Sequence, residues 1–184
     1  MEVLKFEGPY VFENEGQILP DVQPGISGVY LWCFRSDAGL YRVYYIGLST
    51  DIRERLKQHR SAQLKGDYYG HNIEKLKNNK KVLVHNPGQG ILDEYKEELD
   101  PGEFNQHLLN ESYLFYTEVQ QEGAQNPKIL LERIEAALAV LVLGSGPNIL
   151  HVGSLHPANL DRDMRMVSTP GSEIQYVTGQ ILTY

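Results

Sequence analysis

The chain has 184 residues, of which 41% are hydrophobic and 22% are charged, a composition typical of one globular domain that can bury a core. Its single cysteine, Cys33, excludes an internal disulfide and fits a reducing cytoplasm. The formal net charge of −7 means that binding a polyanion would need a local basic surface. There is no signal-peptide pattern and no apolar run long enough to span a membrane, so we expect a cytoplasmic protein without membrane contact.

The first regular structure that the sequence predicts is an antiparallel hairpin. Residues 28–34 and 41–47 form its two strands, and residues 36–39 have the composition of a turn. Side chains alternate between the two faces of a strand. Tyr30 and Tyr45 are therefore expected to converge on one face of the hairpin.

A helix is predicted directly after the hairpin, at about residues 52–65. Asp51 is a typical N-cap residue, and Glu54 three positions later completes the pattern of a capping box. Arg55 and His59 are four residues apart, so they share one face of this helix.

The later elements are less regular. The pattern predicts a second helix over residues 71–79, a third strand over 113–119, and a last helix that begins at the first-turn proline, Pro127, and ends near residue 143. Residues 82–110 interrupt this order. We interpret them as an insertion that contains a short acidic helix at 91–99.

The order strand, strand, helix, helix, strand, helix predicts an α+β fold, with a small, mainly antiparallel three-stranded sheet flanked by helices. We expect a single domain over residues 1–184, with its core at about 25–150. Residues 1–24 form an N-terminal extension that packs along the domain. Residues 151–184 form a C-terminal extension with a possible final strand at 173–178.

The motifs of the hairpin and the helix after it resemble those of the GIY-YIG nuclease superfamily, above all its restriction-enzyme and homing-enzyme branches. Gly28-Val29-Tyr30 stands where the family has Gly-Ile-Tyr, and Tyr45-Ile46-Gly47 matches the second tripeptide. Arg55 follows where the family's arginine is expected, and His59 completes an Arg-x-x-x-His pattern. The resemblance implies a GIY-YIG fold and a nuclease that uses a tyrosine, an arginine and one metal-binding glutamate.

The resemblance gives each candidate residue a role. Glu135, in the last helix, stands at the position of the metal-binding glutamate, with Mg²⁺ (or Mn²⁺) as the expected cofactor. Arg55 would hold two phosphate oxygens with its guanidinium group. Tyr30 would act as a base or a proton relay, and His59 would accept its proton or polarise it. Tyr45 would orient water or phosphate in the same pocket.

Two neighbouring residues qualify these assignments. Glu132 lies three residues before Glu135 on a similar helix face, and it stays open as the metal ligand if the helical register is shifted. Tyr44 precedes Tyr45 and is expected to face the other side of the strand.

Basic residues are concentrated between Arg53 and Lys81. This segment has nine lysine and arginine residues against three acidic ones, a local charge of +6, whereas the rest of the chain carries −13. A basic face on an acidic body can guide a phosphate backbone. The residues expected to contact nucleic acid are Arg53, Lys57, Arg60, Lys75, Lys77, Lys80 and, at the family's asparagine position, Asn148.

The sequence therefore predicts a Mg²⁺-dependent endonuclease that hydrolyses phosphodiester bonds in DNA, of restriction or defence type. RNA stays open as a substrate, and so do a homo-oligomer and a protein partner. Two other functions also stay open. One is a nuclease subunit that is active only with a partner, and the other is a non-catalytic nucleic-acid-binding module on the same fold.

Overall fold

The computed structural model describes residues 6–14, 17–18, 22–119, 127–144, 165–167 and 180–182 of the chain. The α-helices in these ranges are α1 (Ile52–Lys65), α2 (Ile73–Lys77), α3 (Pro101–Asn110) and α4 (Pro127–Gly144). The longer strands are β1 (Glu7–Val11), β4 (Gly28–Arg35), β5 (Tyr41–Ser49), β7 (Leu83–Asn86) and β9 (Ser112–Glu118). The short strands are β2 (Glu13–Asn14), β3 (Gln17–Ile18), β6 (Gly70–His71), β8 (Gly90–Ile91), β10 (Arg165–Val167) and β11 (Gln180–Leu182).

An antiparallel sheet of order β1-β9-β4-β5 forms the centre of the fold. The predicted hairpin is β4–β5, and the predicted α+β class is confirmed. The sheet has four strands rather than three, because the N-terminal extension supplies β1, which pairs with β9. This extension therefore packs along the domain, as expected.

The two faces of the sheet bury different cores. Tyr30, Trp32 and Phe34 of β4 belong to one core, the α1-side core, which also contains buried residues of α1, α2 and α3. Val29, Leu31 and Cys33 belong to the other, the α4-side core, together with buried residues of α4. The predicted alternation along β4 is confirmed, and α1 and α4 cover opposite faces of the sheet.

Residues 82–110 pack into the α1-side core through Val84, Ile91, Phe104 and Leu108. The predicted acidic helix at 91–99 is wrong, because the structure has only a short 3₁₀ helix there, Asp93–Tyr95. The main helix of this segment is α3. It begins after Asp100, whose side chain accepts hydrogen bonds from two backbone N–H groups of the first turn, and proline occupies its first position.

The second helix is shorter than the predicted 71–79. Asn72 is the N-cap of α2, and its side chain accepts a hydrogen bond from the Lys75 N–H. The helix ends at Lys77, and the left-handed φ of 62° at Asn79 carries the chain away from the helix axis. His71 lies in β6, which pairs with β7.

The last predicted helix is confirmed as α4, which begins at Pro127. Of the C-terminal extension, β10 and β11 form an antiparallel pair, whereas the possible strand at 173–178 lies outside the described residues. Among the helices that the structure describes, none combines the length and the apolar character needed to cross a membrane.

Candidate functional site

Tyr30 and His59 meet within the α1-side core. Tyr30 Oη lies 2.6 Å from His59 Nε2, with Tyr30 fully buried and His59 only 4% exposed. The predicted N-cap fixes the start of α1, because Asp51 Oδ1 accepts a hydrogen bond of 3.0 Å from the Glu54 N–H. The helix thereby places His59 two turns along, over the tyrosine of the first motif.

The glycine of the second motif leaves the space that the Tyr30 ring occupies. Gly47 is paired with Tyr30 across β4 and β5. A Cβ atom at Gly47 would lie 2.3 Å from Cζ and from Oη of Tyr30. Gly28 is similarly restricted, since its Cβ would lie 2.0 Å from the Thr117 carbonyl oxygen. The two motif glycines are therefore steric requirements of the site.

We expect Gly47→Ala to push the Tyr30 ring away from His59 and to destabilise the fold by roughly 2 kcal/mol, the usual effect of overpacking a core. Thermal unfolding of the variant measures this loss. The matched control is Gly102→Ala in the first turn of α3, where a Cβ would meet only the Asp100 carboxylate, at 3.2 Å. Equal melting temperatures for the Gly47 and Gly102 variants would contradict the steric role.

A β-bulge changes the direction of Tyr44. The pairing places Tyr45 opposite Trp32 and Val43 opposite Cys33, so Tyr44 is the extra residue. Tyr44 belongs to the α1-side core and Tyr45 packs against it. The expectation that Tyr44 faces the other side of the strand is therefore wrong.

A cavity of about 300 Å³ lies beside this cluster. Its wall is mainly aromatic, with charged and polar groups from α1 and from the loop that follows α1. The lining residues that concern the chemistry are Tyr44, Tyr45, Arg55, His59, Tyr68 and Tyr69. The ring centroid of Tyr30 lies 6.2 Å from that of Tyr45 and 5.9 Å from that of His59. Because Tyr30 itself has no exposed surface, it lies behind this wall.

Arg55 connects the cavity to Tyr30. Its positive charge acts on the Tyr30 hydroxyl and offsets part of the rise in the pKa of that group, and its Nη1 donates a hydrogen bond of 3.1 Å to Gln58 Oε1. Arg53 is not among the residues that line the cavity. The predicted separation of the two arginines by helix face therefore agrees with the structure.

Tyr30 and His59 are both uncharged near neutral pH. Burial and the neighbouring Tyr45 raise the pKa of Tyr30 well above its usual value, and Arg55 offsets this only in part. Burial and the positive charge of Arg55 lower the pKa of His59 to about 4. The pair is thus a neutral phenol beside a neutral imidazole, which is the arrangement that can pass a proton from oxygen to nitrogen.

Glu135 approaches the same tyrosines from α4, the helix on the other face of the sheet. Its charge raises the pKa of both Tyr30 and Tyr45. Burial, with a smaller contribution from Glu132, raises the pKa of Glu135 itself to about 7. Glu132 differs in its surroundings, because its Oε1 lies 3.7 Å from Nζ of Lys128.

Glu135 remains the candidate ligand for the expected magnesium ion. In the part of the chain that the structure describes, this carboxylate is partly buried and has no ion pair or hydrogen bond. The same part contains no group of three or more histidine, cysteine, aspartate or glutamate side chains that could hold a metal ion. Mg²⁺ binds through one or two carboxylates and keeps several waters, so a lone carboxylate suits it, or the similar Mn²⁺.

Lys77 departs from the expected nucleic-acid surface. Its Nζ lies 2.9 Å from a Glu111 carboxylate oxygen and 3.2 Å from a Glu74 carboxylate oxygen, and only 19% of its side chain is exposed. The pair with Glu111 connects α2 to the end of α3, and the pair with Glu74 lies within α2. Lys77 is therefore held in ion pairs within the fold, whereas Lys75 and Lys80 are exposed.

The other predicted contact residues vary in exposure. Lys75 and Lys80 are exposed, and Lys57 is exposed but pairs with Glu54. Arg53 and Arg60 are half-buried on α1. Asn148 lies outside the described residues. Lys75 and Lys80 are thus the clearest candidates for contact with a phosphate backbone.

Tyr68 belongs to the site, although no sequence motif points to it. Its hydroxyl lies 2.9 Å from His59 Nδ1. The residue lies in the loop between α1 and β6, directly after Gly66 and Asp67. Gly66 has a left-handed φ of 75° and ends the helix, so the chain turns back beside it. This glycine is the one local signal that could have placed the loop near His59.

Comparisons with known proteins found no matching family model, no matching curated protein and no matching solved structure. The chemistry of the site is therefore judged from its own residues.

Proposed function

We propose that the protein is a metal-dependent endonuclease of GIY-YIG type that hydrolyses phosphodiester bonds in DNA. The observation that supports this most is the convergence of three kinds of group on the Tyr30 hydroxyl. His59 Nε2 lies 2.6 Å from it, and the charges of Arg55 and of Glu135 both act on it. Metal-assisted phosphodiester hydrolysis uses these kinds of group: a proton acceptor, a cation and a metal-binding carboxylate.

Arg55 is the residue that would bind the scissile phosphate. Its side chain is exposed and lines the cavity, so a substrate can reach it. Guanidinium can hold two phosphate oxygens at once and stays charged at any working pH. Its contact becomes stronger as negative charge builds up on the phosphoryl oxygens in the transition state.

Tyr30 and His59 would remove the proton of the attacking water. Since burial disfavours the phenolate, Tyr30 can accept a proton only while it gives its own proton to another group. His59 Nε2 is in position to accept it, because the imidazole is neutral at neutral pH. Tyr45 lies between Tyr30 and the cavity, where its hydroxyl can orient the water.

Glu135 is the residue that would hold Mg²⁺ or Mn²⁺. When bound, such an ion stabilises negative charge on the phosphoryl and leaving oxygens.

Cleavage of supercoiled plasmid DNA tests the proposal directly. With Mg²⁺ the purified protein should produce nicked and then linear DNA, and EDTA should prevent both. An RNA of similar length in parallel reactions tests the substrate class. Failure to cut DNA or RNA with either Mg²⁺ or Mn²⁺ would contradict the proposal.

The exposed lysines of the basic segment are the proposed contacts with the DNA backbone. We expect the double variant Lys75→Glu, Lys80→Glu to weaken DNA binding. It should also reduce the slope of log K against log salt by roughly 2, because each phosphate contact contributes about 1. Fluorescence anisotropy over a range of salt concentrations measures both effects.

The matched control for this experiment is Lys96→Glu with Lys128→Glu. These lysines lie outside the basic segment, are 57% and 76% exposed, and change the net charge by the same amount. If the two double variants have the same affinity for DNA and the same salt dependence, binding depends only on the net charge of the protein. The basic segment then has no special role.

One observation favours an enzyme that a partner completes. Tyr30 has no exposed surface, so water reaches its hydroxyl only if the surrounding side chains move. A protein partner, a second copy of the chain or the nucleic acid itself could cause this movement. Cleavage by the isolated protein at low concentration would rule out a required protein partner.

A further inference from the structure

Both ring nitrogens of His59 are bound by tyrosine hydroxyls. Tyr30 Oη lies 2.6 Å from Nε2, and Tyr68 Oη lies 2.9 Å from Nδ1. A neutral imidazole has one N–H group and one lone pair, so one hydroxyl must donate and the other must accept. The direction decides whether Nε2 can take a proton from Tyr30.

The lengths of the two hydrogen bonds differ in a way that indicates this direction. Bonds donated by N–H groups to oxygen have a most common length of about 2.9–3.0 Å, and hydroxyl donors form shorter bonds, with a most common length of about 2.7–2.8 Å where the acceptor is oxygen. We expect the same order where a hydroxyl donates to a ring nitrogen. The 2.6 Å contact fits donation from the Tyr30 hydroxyl to Nε2. The 2.9 Å contact fits donation from Nδ1–H to the Tyr68 oxygen.

Arg55 favours the same direction. A guanidinium group can only donate hydrogen bonds. Because the positive charge of Arg55 acts on the Tyr30 hydroxyl, the oxygen lone pairs are favoured on the side of Arg55, and the O–H can point to His59. The chain of donors then runs from Tyr30 through His59 to Tyr68.

The loop that carries Tyr68 is attached at two points. The Tyr68 carbonyl accepts a hydrogen bond of 3.0 Å from Nδ1 of the buried His85 on β7. The next carbonyl, that of Tyr69, accepts one of 3.4 Å from the Tyr44 hydroxyl. Both supports come from core elements, so the Tyr68 hydroxyl is held at a defined position beside His59.

We propose that Tyr68 is a positioning residue that holds His59 in the tautomer protonated on Nδ1, so that Nε2 faces Tyr30 as a proton acceptor. The role of this tautomer in catalysis, as the acceptor of the Tyr30 proton, rests on the proposed nuclease function. The tautomer itself is a property of the protein without substrate.

The tautomer decides whether the proton transfers balance. The oxygen of the attacking water bonds to phosphorus while the bond to the leaving oxygen breaks and that oxygen takes the electron pair. The proton of the water passes to Tyr30 Oη, and the original Tyr30 proton passes to His59 Nε2. The resulting imidazolium donates through Nε2–H to Tyr30 and through Nδ1–H to Tyr68. In the opposite tautomer Nε2 already carries a proton, and the transfer has no acceptor.

Nitrogen NMR of ¹⁵N-histidine-labelled protein at neutral pH tests the tautomer directly. The His59 signals are identified by their absence from the spectrum of His59→Gln. We expect a protonated Nδ1 and an unprotonated Nε2 in the parent protein. In Tyr68→Phe the Nδ1-protonated population should fall clearly, since its acceptor is lost. The matched control, Tyr113→Phe, removes a hydroxyl from a residue that packs against the α4-side core and should change nothing.

Steady-state cleavage gives the second readout. Tyr68→Phe should lower kcat by at least about tenfold and leave KM for DNA within about twofold, because the hydroxyl that is removed is already bound to His59 and the ring that lines the cavity is kept. A His59 protonated on Nε2 in the parent, or a tautomer unchanged in Tyr68→Phe, would overturn the inference, and so would an unchanged kcat. A parent protein that cuts no nucleic acid would overturn the nuclease function, while the NMR result would still decide the tautomer.

Discussion

Glu135→Gln is expected to abolish DNA cleavage, with a loss of at least about a hundredfold, while the fold and DNA binding are retained. The substitution keeps the shape of the side chain and removes the charge that a metal ion needs. A neutral amide should also be tolerated, because burial already disfavours the ionised form of this carboxyl and raises its pKa to about 7. Single-turnover cleavage of labelled DNA measures the loss, and circular dichroism checks the fold.

Glu132→Gln is the matched control for this prediction. Glu132 lies one helical turn away on α4 and is close to Lys128, so its removal should leave cleavage near the parent level. A second readout needs no DNA: Mg²⁺ should raise the melting temperature of the parent and of Glu132→Gln, but not of Glu135→Gln. The reverse pattern would make Glu132 the metal ligand and the helical register assigned here wrong.

Arg55→Ala and Tyr30→Phe are each expected to slow cleavage by about a hundredfold, which corresponds to about 3 kcal/mol of transition-state stabilisation. Arg55→Ala removes the positive charge at the cavity. Tyr30→Phe keeps the ring that packs against Gly47 and removes only the oxygen that contacts His59 Nε2. Both variants should therefore remain folded, and the loss should appear in kcat.

Arg53→Ala is the control for Arg55→Ala, because it removes the same charge from a different face of α1. Arg53→Ala should leave the cleavage rate near the parent level, and it should change at most the affinity for DNA. The double variant of Tyr30 and Arg55 should lose less than the product of the two single losses, since the charge of Arg55 acts on the Tyr30 hydroxyl. Equal losses at Arg53 and Arg55, or strictly multiplicative losses in the double variant, would contradict the arrangement proposed here.

The elements that were predictable from the sequence are those stabilised by local interactions. The hairpin follows from the alternation of side chains on either side of a turn, and α1 follows from Asp51 as its cap. The shared helix face of Arg55 and His59 also depends only on helical periodicity. Each of these signals comes from residues that are close in sequence, so the rest of the molecule did not need to be known.

Helix α3 shows how a correct local signal can still be missed. Asp100 and Pro101 are a typical helix start, and Phe104 and Leu108 have the spacing of a buried face. The acidic stretch before them has equally good helix-forming residues. Packing decides between the two, because the later stretch buries Phe104, Leu108 and Leu109 in the α1-side core, whereas Tyr95 and Leu99 of the acidic stretch are only partly buried against it.

The sequence by itself determined which residue types are available for the proposed chemistry and the local elements that carry Tyr30, Tyr45, Arg55 and His59. Tertiary structure alone decided what surrounds them. The bulge that turns Tyr44 into the cavity depends on the pairing of β4 with β5, and the contact of Tyr68 with His59 depends on a loop held by β7. These contacts join residues that are distant in sequence or lie outside a regular element. No periodicity encodes them, and only the closure of the core brings them together.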